Sequence, residues 1–139
     1  VTTLVYNSFV DDWAKGNVVP EDDTFYLLLV TSSYVPDKDA HTKRSDVTNE
    51  VSGAGYVAGG AAIACTVASV PAADRETLTF ATTAWDPSTI TARGGVIYKS
   101  RGGAASADEL VAYLDFGENK TSANSRFEVS FSAPLIVQN

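Results

Sequence analysis

Apolar residues fall at every second position through the second half of this chain. Leu78 and Phe80 alternate with Thr77 and Thr79, and Phe127, Val129 and Phe131 alternate with Glu128, Ser130 and Ser132. Leu110, Ala112, Leu114 and Phe116 form the longest such series. A period of two places residues on one face of a strand, whereas a helix face repeats every ~3.6 residues. Turn formers interrupt these runs at residues 71–75, 86–88, 100–107 and 117–125. Residues 24–31 read as the best single strand, and its unbroken apolar run 25–30 (FYLLLV) predicts a strand covered on both faces. The count is about eight antiparallel strands with a turn every eight to twelve residues or so, the signature of an all-β sandwich or barrel. The expected architecture is a single-domain β-sandwich spanning residues 1–139. It is expected to be jelly-roll-like, because about eight strands suit that better than a seven-stranded immunoglobulin-like sandwich.

The remaining elements are shorter. Residues 1–5 read as a strand or an extended arm. One short N-terminal helix is expected over residues 9–15, capped by Asn7 or Ser8, with Asp11 and Asp12 in its first turn and Gly16 as its stop. Phe9 and Trp13 would then share a face and pack on the sheet. Residues 56–69 read as one strand with a bend at Gly59 and Gly60. Residues 90–99 read as a strand interrupted at Gly94 and Gly95, with Val96 and Tyr98 on one face and Ile97 on the other. Residues 135–137 give the last strand.

Between the apolar runs 25–30 and 61–67 lies residues 34–60, YVPDKDAHTKRSDVTNEVSGAGYVAGG. Pro36 takes the chain out of any central strand. Asp37, Lys38, Asp39, His41, Lys43, Arg44 and Asp46 offer little to a core. The stretch reads as a long exposed loop, and loops of that length in compact domains are often functional.

Composition narrows the function. The formal charge is −7 and the pI about 4.5, which disfavours nucleic acid, since an acidic chain releases no phosphate counterions. Charged residues are 19% of the chain, below the usual ~25%, which fits a compact domain rather than a solvated tail. No apolar run approaches the ~20 residues that span a bilayer, so no membrane is expected, and no signal peptide is read. Cys65 is the single cysteine, so no intrachain disulfide forms.

No catalytic constellation stands out. Asp37, Asp39, His41 and Asp46 invite a calcium reading, but positions six and twelve from Asp37 are Thr42 and Thr48, not the Gly and Glu of an EF-hand loop. Lys38, Lys43 and Arg44 oppose a cation. His41 is the only histidine, so any triad must use it, and a Cys65 nucleophile would need it alongside. The glycines at 53 and 55 complete no dinucleotide fingerprint, because Ala58 stands at the third position. Asp115-Phe116-Gly117 lacks every other kinase element. Asn119-Lys120-Thr121 is a sequon without a secretory context. Tyrosines and tryptophans could line a sugar groove, with Tyr34 and Tyr56, at the two ends of the long loop, the most exposed of them.

Residues 27–60, then 85–99 (WDPSTITARGGVIYK), then 113–117 (YLDFG), taken in order, resemble a family of tailed-bacteriophage head decoration, or capsid cement, proteins. The resemblance covers most of the chain, and these segments are not catalytic motifs. A bulkier residue is usual in the family where this chain has Gly94 and Gly95. The resemblance implies a non-enzymatic virion protein without cofactors, made in the host cytoplasm and bound outside the assembled icosahedral shell. There it would bridge subunits of the major capsid protein. Self-association on the capsid surface, for instance as a homodimer, is expected separately, because closed twofold pairing is the commonest oligomer and could cover an edge strand. The alternative is a carbohydrate-binding tail or fibre module. Tyr34, Asp37, Asp39, His41, Lys43, Arg44 and Asp46 are the candidate capsid contacts, together with the N-terminal arm.

Overall fold

The unbroken apolar run becomes strand β2 (Phe25–Val30), an interior strand with five of its six residues buried. The computed structural model describes residues 2–73, 75–131 and 133–138. Along the chain follow β1 (Thr2–Val5), α1 (Asn7–Ala14), β2, β3 (Ala61–Ile63), β4 (Cys65–Val70), β5 (Arg75–Phe80), β6 (Thr83–Ser88), β7 (Thr91–Lys99), β8 (Leu110–Thr121), β9 (Ser125–Val129) and β10 (Leu135–Gln138). A five-stranded sheet has the order β1-β8-β7-β2-β3, a three-stranded sheet β10-β5-β4, and β6 pairs with β9. Every pairing is antiparallel.

The fold is all-β and sandwich-like. One face of the large sheet presents Phe25, Leu27, Leu29, Ile97, Ala112 and Leu114, which pack with Leu78 and Phe80 of β5 and with Trp85, Phe127 and Val129 of β6 and β9. Phe25 meets Phe80 edge-on at 6.1 Å and Trp85 meets Phe127 at 6.3 Å. The second layer is therefore the two smaller sheets together. Among the described residues the strands fall into sheets of five, three and two.

Several local expectations need correction. Helix α1 starts at Asn7 with Tyr6 as its N-cap residue and no side-chain cap, so Asp11 and Asp12 lie past the first turn. Phe9 and Trp13 do share a face, their rings 5.6 Å apart. Residues 56–69 are not one strand. Gly60, at φ +82°, lies so close to β2 that an added Cβ would stand 1.9 Å from the Leu27 carbonyl oxygen. The chain then gives β3 to the large sheet and β4 to the three-stranded one. Residues 86–88 are part of β6 rather than a turn, and β8 runs on through Gly117 to Thr121. Residues 2–5 are a strand rather than a free arm, since β1 pairs with β8 from Thr2 to Val5.

Two details shape the outer face of the large sheet. Ile97 pairs with Ala112 but Tyr98 pairs with Leu110, leaving Val111 as an extra residue. That bulge sends Leu110 to the face opposite Ala112 and Leu114, which breaks the expected alternation at its first member. Gly94 and Gly95 lie inside β7, which runs on through them, although its register with β8 shifts between Ala92 and Gly94. A Cβ on Gly94 would stand 2.7 Å from the Tyr113 ring, so the glycine is the slot across which that ring lies.

Candidate functional site

The long loop, residues 31–60, lies across the outer face of the large sheet. Leu28, Val30, Val96, Tyr98, Leu110 and Tyr113 form a second apolar cluster there with Tyr6 and Tyr34, and Val47 packs against it. The loop backbone is tied to the sheet at both ends of its course. Thr31 N–H donates to Asn49 O (2.9 Å) and Val51 N–H to Leu29 O (2.9 Å). Arg44 N–H donates to Asp108 O (2.8 Å), Leu110 N–H to Thr42 O (3.2 Å) and Asn7 N–H to Lys38 O (3.0 Å). The stretch is long, but it is built in rather than hung outside.

Each candidate side chain is engaged, some with the sheet and some within the loop itself. Tyr34 is 4% exposed, against the expectation that it stands free. Its hydroxyl lies 2.8 Å from that of Tyr6 and 2.9 Å from His41 Nδ1. Asp37 N–H also donates to Nδ1, at 3.2 Å. A backbone N–H can only donate, so Nδ1 is the bare ring nitrogen, Tyr34 donates to it, and Tyr6 donates to Tyr34. The His41 ring stacks on Tyr34 with centroids 5.6 Å apart. Burial pushes the Tyr6 and Tyr34 hydroxyls above the ordinary tyrosine pKa.

The acidic candidates serve backbone amides. Asp37 Oδ1 accepts from Ala40 N–H and Asp39 N–H, both at 3.0 Å, and these bonds hold its carboxyl below the usual range. Asp46 Oδ2 accepts from Thr42 N–H (2.9 Å) and Lys43 N–H (3.1 Å), with the same consequence. Asp39 accepts from the Asn7 side chain. Among the described residues no three His, Cys, Asp or Glu side chains gather as a metal would require.

The basic candidates reach two acids that sequence reasoning did not single out. Arg44 Nε donates to Asp108 Oδ2 at 2.8 Å, and its guanidinium lies 5.0 Å from the centre of the Tyr98 ring. Lys43 Nζ is 3.6 Å from Glu109 Oε1. Arg101 donates to the same carboxylate at 2.6 Å, and Arg101 N–H to Asp108 Oδ1 at 2.9 Å. Asp108 and Glu109 are almost fully buried, at 1% and 2% exposure. The only local signal for them is two acids abutting an alternating apolar run.

The far end of the loop is fixed by tyrosines. Tyr56 donates to Glu50 Oε1 (2.7 Å) and accepts from Leu29 N–H (3.0 Å), and Gly59 N–H donates to Glu50 Oε1 as well (2.6 Å). Tyr98 donates to Gly59 O at 2.6 Å, and burial pushes its hydroxyl up to about 12. Tyr56 is thus half-buried and engaged, not a free sugar platform.

His41 and Cys65 sit on opposite faces of the large sheet. His41 stacks on Tyr34 of the outer cluster, while Cys65 packs against the inner one. Burial pushes the Cys65 thiol up to about 11, which disfavours the nucleophilic thiolate. Three surface clefts, of about 160, 330 and 330 Å³, are lined by none of the loop's candidate residues. The arrangement is suited to holding a surface rigid. What the loop leaves outward includes Val35, 76% exposed, and Val57, 72% exposed. Comparison with described protein families, with curated proteins and with solved structures finds no match to this chain.

Proposed function

We propose that the chain is a non-enzymatic structural protein of a tailed bacteriophage, bound outside the assembled icosahedral capsid and stabilising it by bridging major capsid protein subunits. The observation that carries the reading is the fastened loop. Asp46 is held on backbone amides, and Lys43 and Arg44 reach Glu109 and Asp108, while Val35, Asp37, Lys38, Asp39 and Val57 remain exposed on the rim. A surface held this way loses little conformational entropy on docking. A protein that binds only the assembled shell stabilises it by mass action, and a copy that touches two subunits gains a second contact at high effective concentration.

In this reading the contact is made by the loop's outward rim around Val35 and Val57, and by the free sides of Asp37, Asp39, His41 and Lys43. Tyr34, Arg44 and Asp46 act beneath it by holding the rim in shape. The glycan alternative depended on exposed rings at Tyr34 and Tyr56, and both are engaged in the fold.

Co-sedimentation with mature capsids lacking the protein, beside unassembled capsid subunits, tests the proposal. Saturable binding to shells alone, with a raised shell melting temperature, is expected. Absence of binding to shells overturns it. Val35→Asp is expected to weaken the binding without altering the fold, because the residue touches solvent.

A further inference from the structure

Between Glu50 and Asp74 the chain carries no Asp, Glu, Lys, Arg or His, its longest charge-free interval. The interval is not buried. Val57, Ala62, Thr66, Ala68 and Ser69 are all exposed. It supplies β3, one of the two edge strands of the large sheet, and β4, one of the two edge strands of the three-stranded sheet. One continuous segment, residues 61–70, therefore edges both layers of the sandwich.

Open sheet edges normally carry guards, because their unpaired N–H and C=O groups are templates for another strand. The β6–β9 sheet has them: Asp86 and Pro87 on one strand, Arg126 and Glu128 on the other. Strand β4, Cys-Thr-Val-Ala-Ser-Val, has no charge and no proline, and its pairing with β5 is regular from end to end. Edge β1 is also uncharged but only four residues long. Interface cores are poor in charge in this same way.

We propose that the β3–β4 flank is a self-association surface, on which two copies of this chain pair β4 against β4, antiparallel about a twofold axis. Two considerations select a second copy as the partner. The chain carries −7 overall, so two copies repel on average, and this neutral flank is where they approach at little electrostatic cost. An antiparallel strand pair is also its own complement under a twofold operation, so one edge serves both partners. The dimer's sheet would then run through six strands, three from each copy. The inference does not depend on the capsid reading, because free protein tests it.

Sedimentation equilibrium over a concentration series is the experiment, with near-ultraviolet circular dichroism checking each variant's fold. A monomer–dimer equilibrium is expected. Thr66→Lys and Ala68→Lys, both at exposed positions, set like charges against each other across the axis and should raise the dimer Kd about tenfold or more. Thr3→Lys, on the exposed part of β1, should leave it unchanged. Salt should tighten the dimer, because it screens repulsion between two acidic bodies and breaks no ion pair at the seam. If a variant misfolds, hydrogen exchange on the unmodified protein decides instead, with β4 amides slowing as concentration rises. A monomer at all concentrations up to about 1 mM, a dimer indifferent to both β4 lysines or dissociated by Thr3→Lys, a dimer loosened by salt, or β4 amides blind to concentration would each overturn the proposal.

Discussion

The two faces of the five-stranded sheet are covered by different physical means. The inner face is closed by aliphatic and aromatic contact with β5, β6 and β9, and Leu27, Leu29 and Ile97 there make no polar bond through their side chains. The outer face is closed by a loop that brings its own polar groups, so apolar contact alternates with hydrogen bonds: the Tyr6–Tyr34–His41 relay, the Arg44–Asp108 pair and the Tyr98–Gly59 bond. Burial on the inner face is non-directional and tolerant of small shifts. On the outer face the bonds are directional, and removing one partner leaves the other buried and unmatched. The inner face thus carries cohesion, and the outer face carries a defined surface shape.

The largest effect is expected on the inner side. Leu27→Ala removes a fully buried side chain and should lower unfolding free energy by about 4 kcal/mol, measured by urea denaturation. The loss should appear as a shift of a single transition, because that cluster joins every sheet. Asp108→Ala attacks the outer side, leaving Arg44 Nε and Arg101 N–H without their acceptor. Arg44 is partly solvated at 22% side-chain exposure, so the cost should be nearer 2 kcal/mol than the 3–5 of a fully buried pair, roughly speaking. Its distinguishing sign is local: hydrogen exchange should rise in residues 40–50 more than in β2 or β7. Uniform acceleration across the sheet would show that the two faces are not separate.

Much of the inner face was legible beforehand. Leu78 with Phe80 and Phe127 with Val129 alternate as strands must, and the run 25–30 pointed to a covered or central strand. The outer face was hidden for specific reasons. Arg44 and Asp108 are 64 positions apart, and nothing local to either marks the pair. Tyr34 is amphipathic, so its neighbours Pro36 and Asp37 make it look exposed, while its actual surroundings come from Tyr6 and Tyr113. The bulge at Val111 is set by the register with β7 and not by β8 itself, so the regular alternation of Leu110 with Ala112 concealed it. Gly94 looked like an interruption because the ring that fills its place comes from Tyr113 on the adjacent strand.

A smaller change sharpens the comparison. Tyr34→Phe keeps the ring, its stacking on His41 and its edge contact with Tyr113, but removes the hydroxyl between Tyr6 and His41. A loss of about 1 kcal/mol in unfolding free energy is expected, typical of one buried hydrogen bond. A loss of the size assigned to Leu27→Ala would mean that the relay, and not the apolar cluster around it, holds the loop down.

The gentlest probe is acid. Asp46 and Asp37 are held below the ordinary carboxylate range by backbone N–H donors, Thr42 first for Asp46 and Ala40 first for Asp37. A carboxyl whose pKa is depressed by folding contributes stability above its unfolded value, near pH 3.9 or so, and loses it as pH falls through the folded value. Both groups lie in the loop that covers the outer face. Acidification below about pH 4 should therefore loosen the outer face first. The near-ultraviolet tyrosine signal, rich in Tyr6, Tyr34, Tyr98 and Tyr113 of that face, should fall at a higher pH than the far-ultraviolet strand signal. Asp46→Asn should narrow the gap, because an amide there no longer gains from the same donors as pH rises. If both signals fall together, in the parent chain and in the variant alike, then the two coverings unfold as one and the distinction between the faces is one of chemistry without a difference in cohesion.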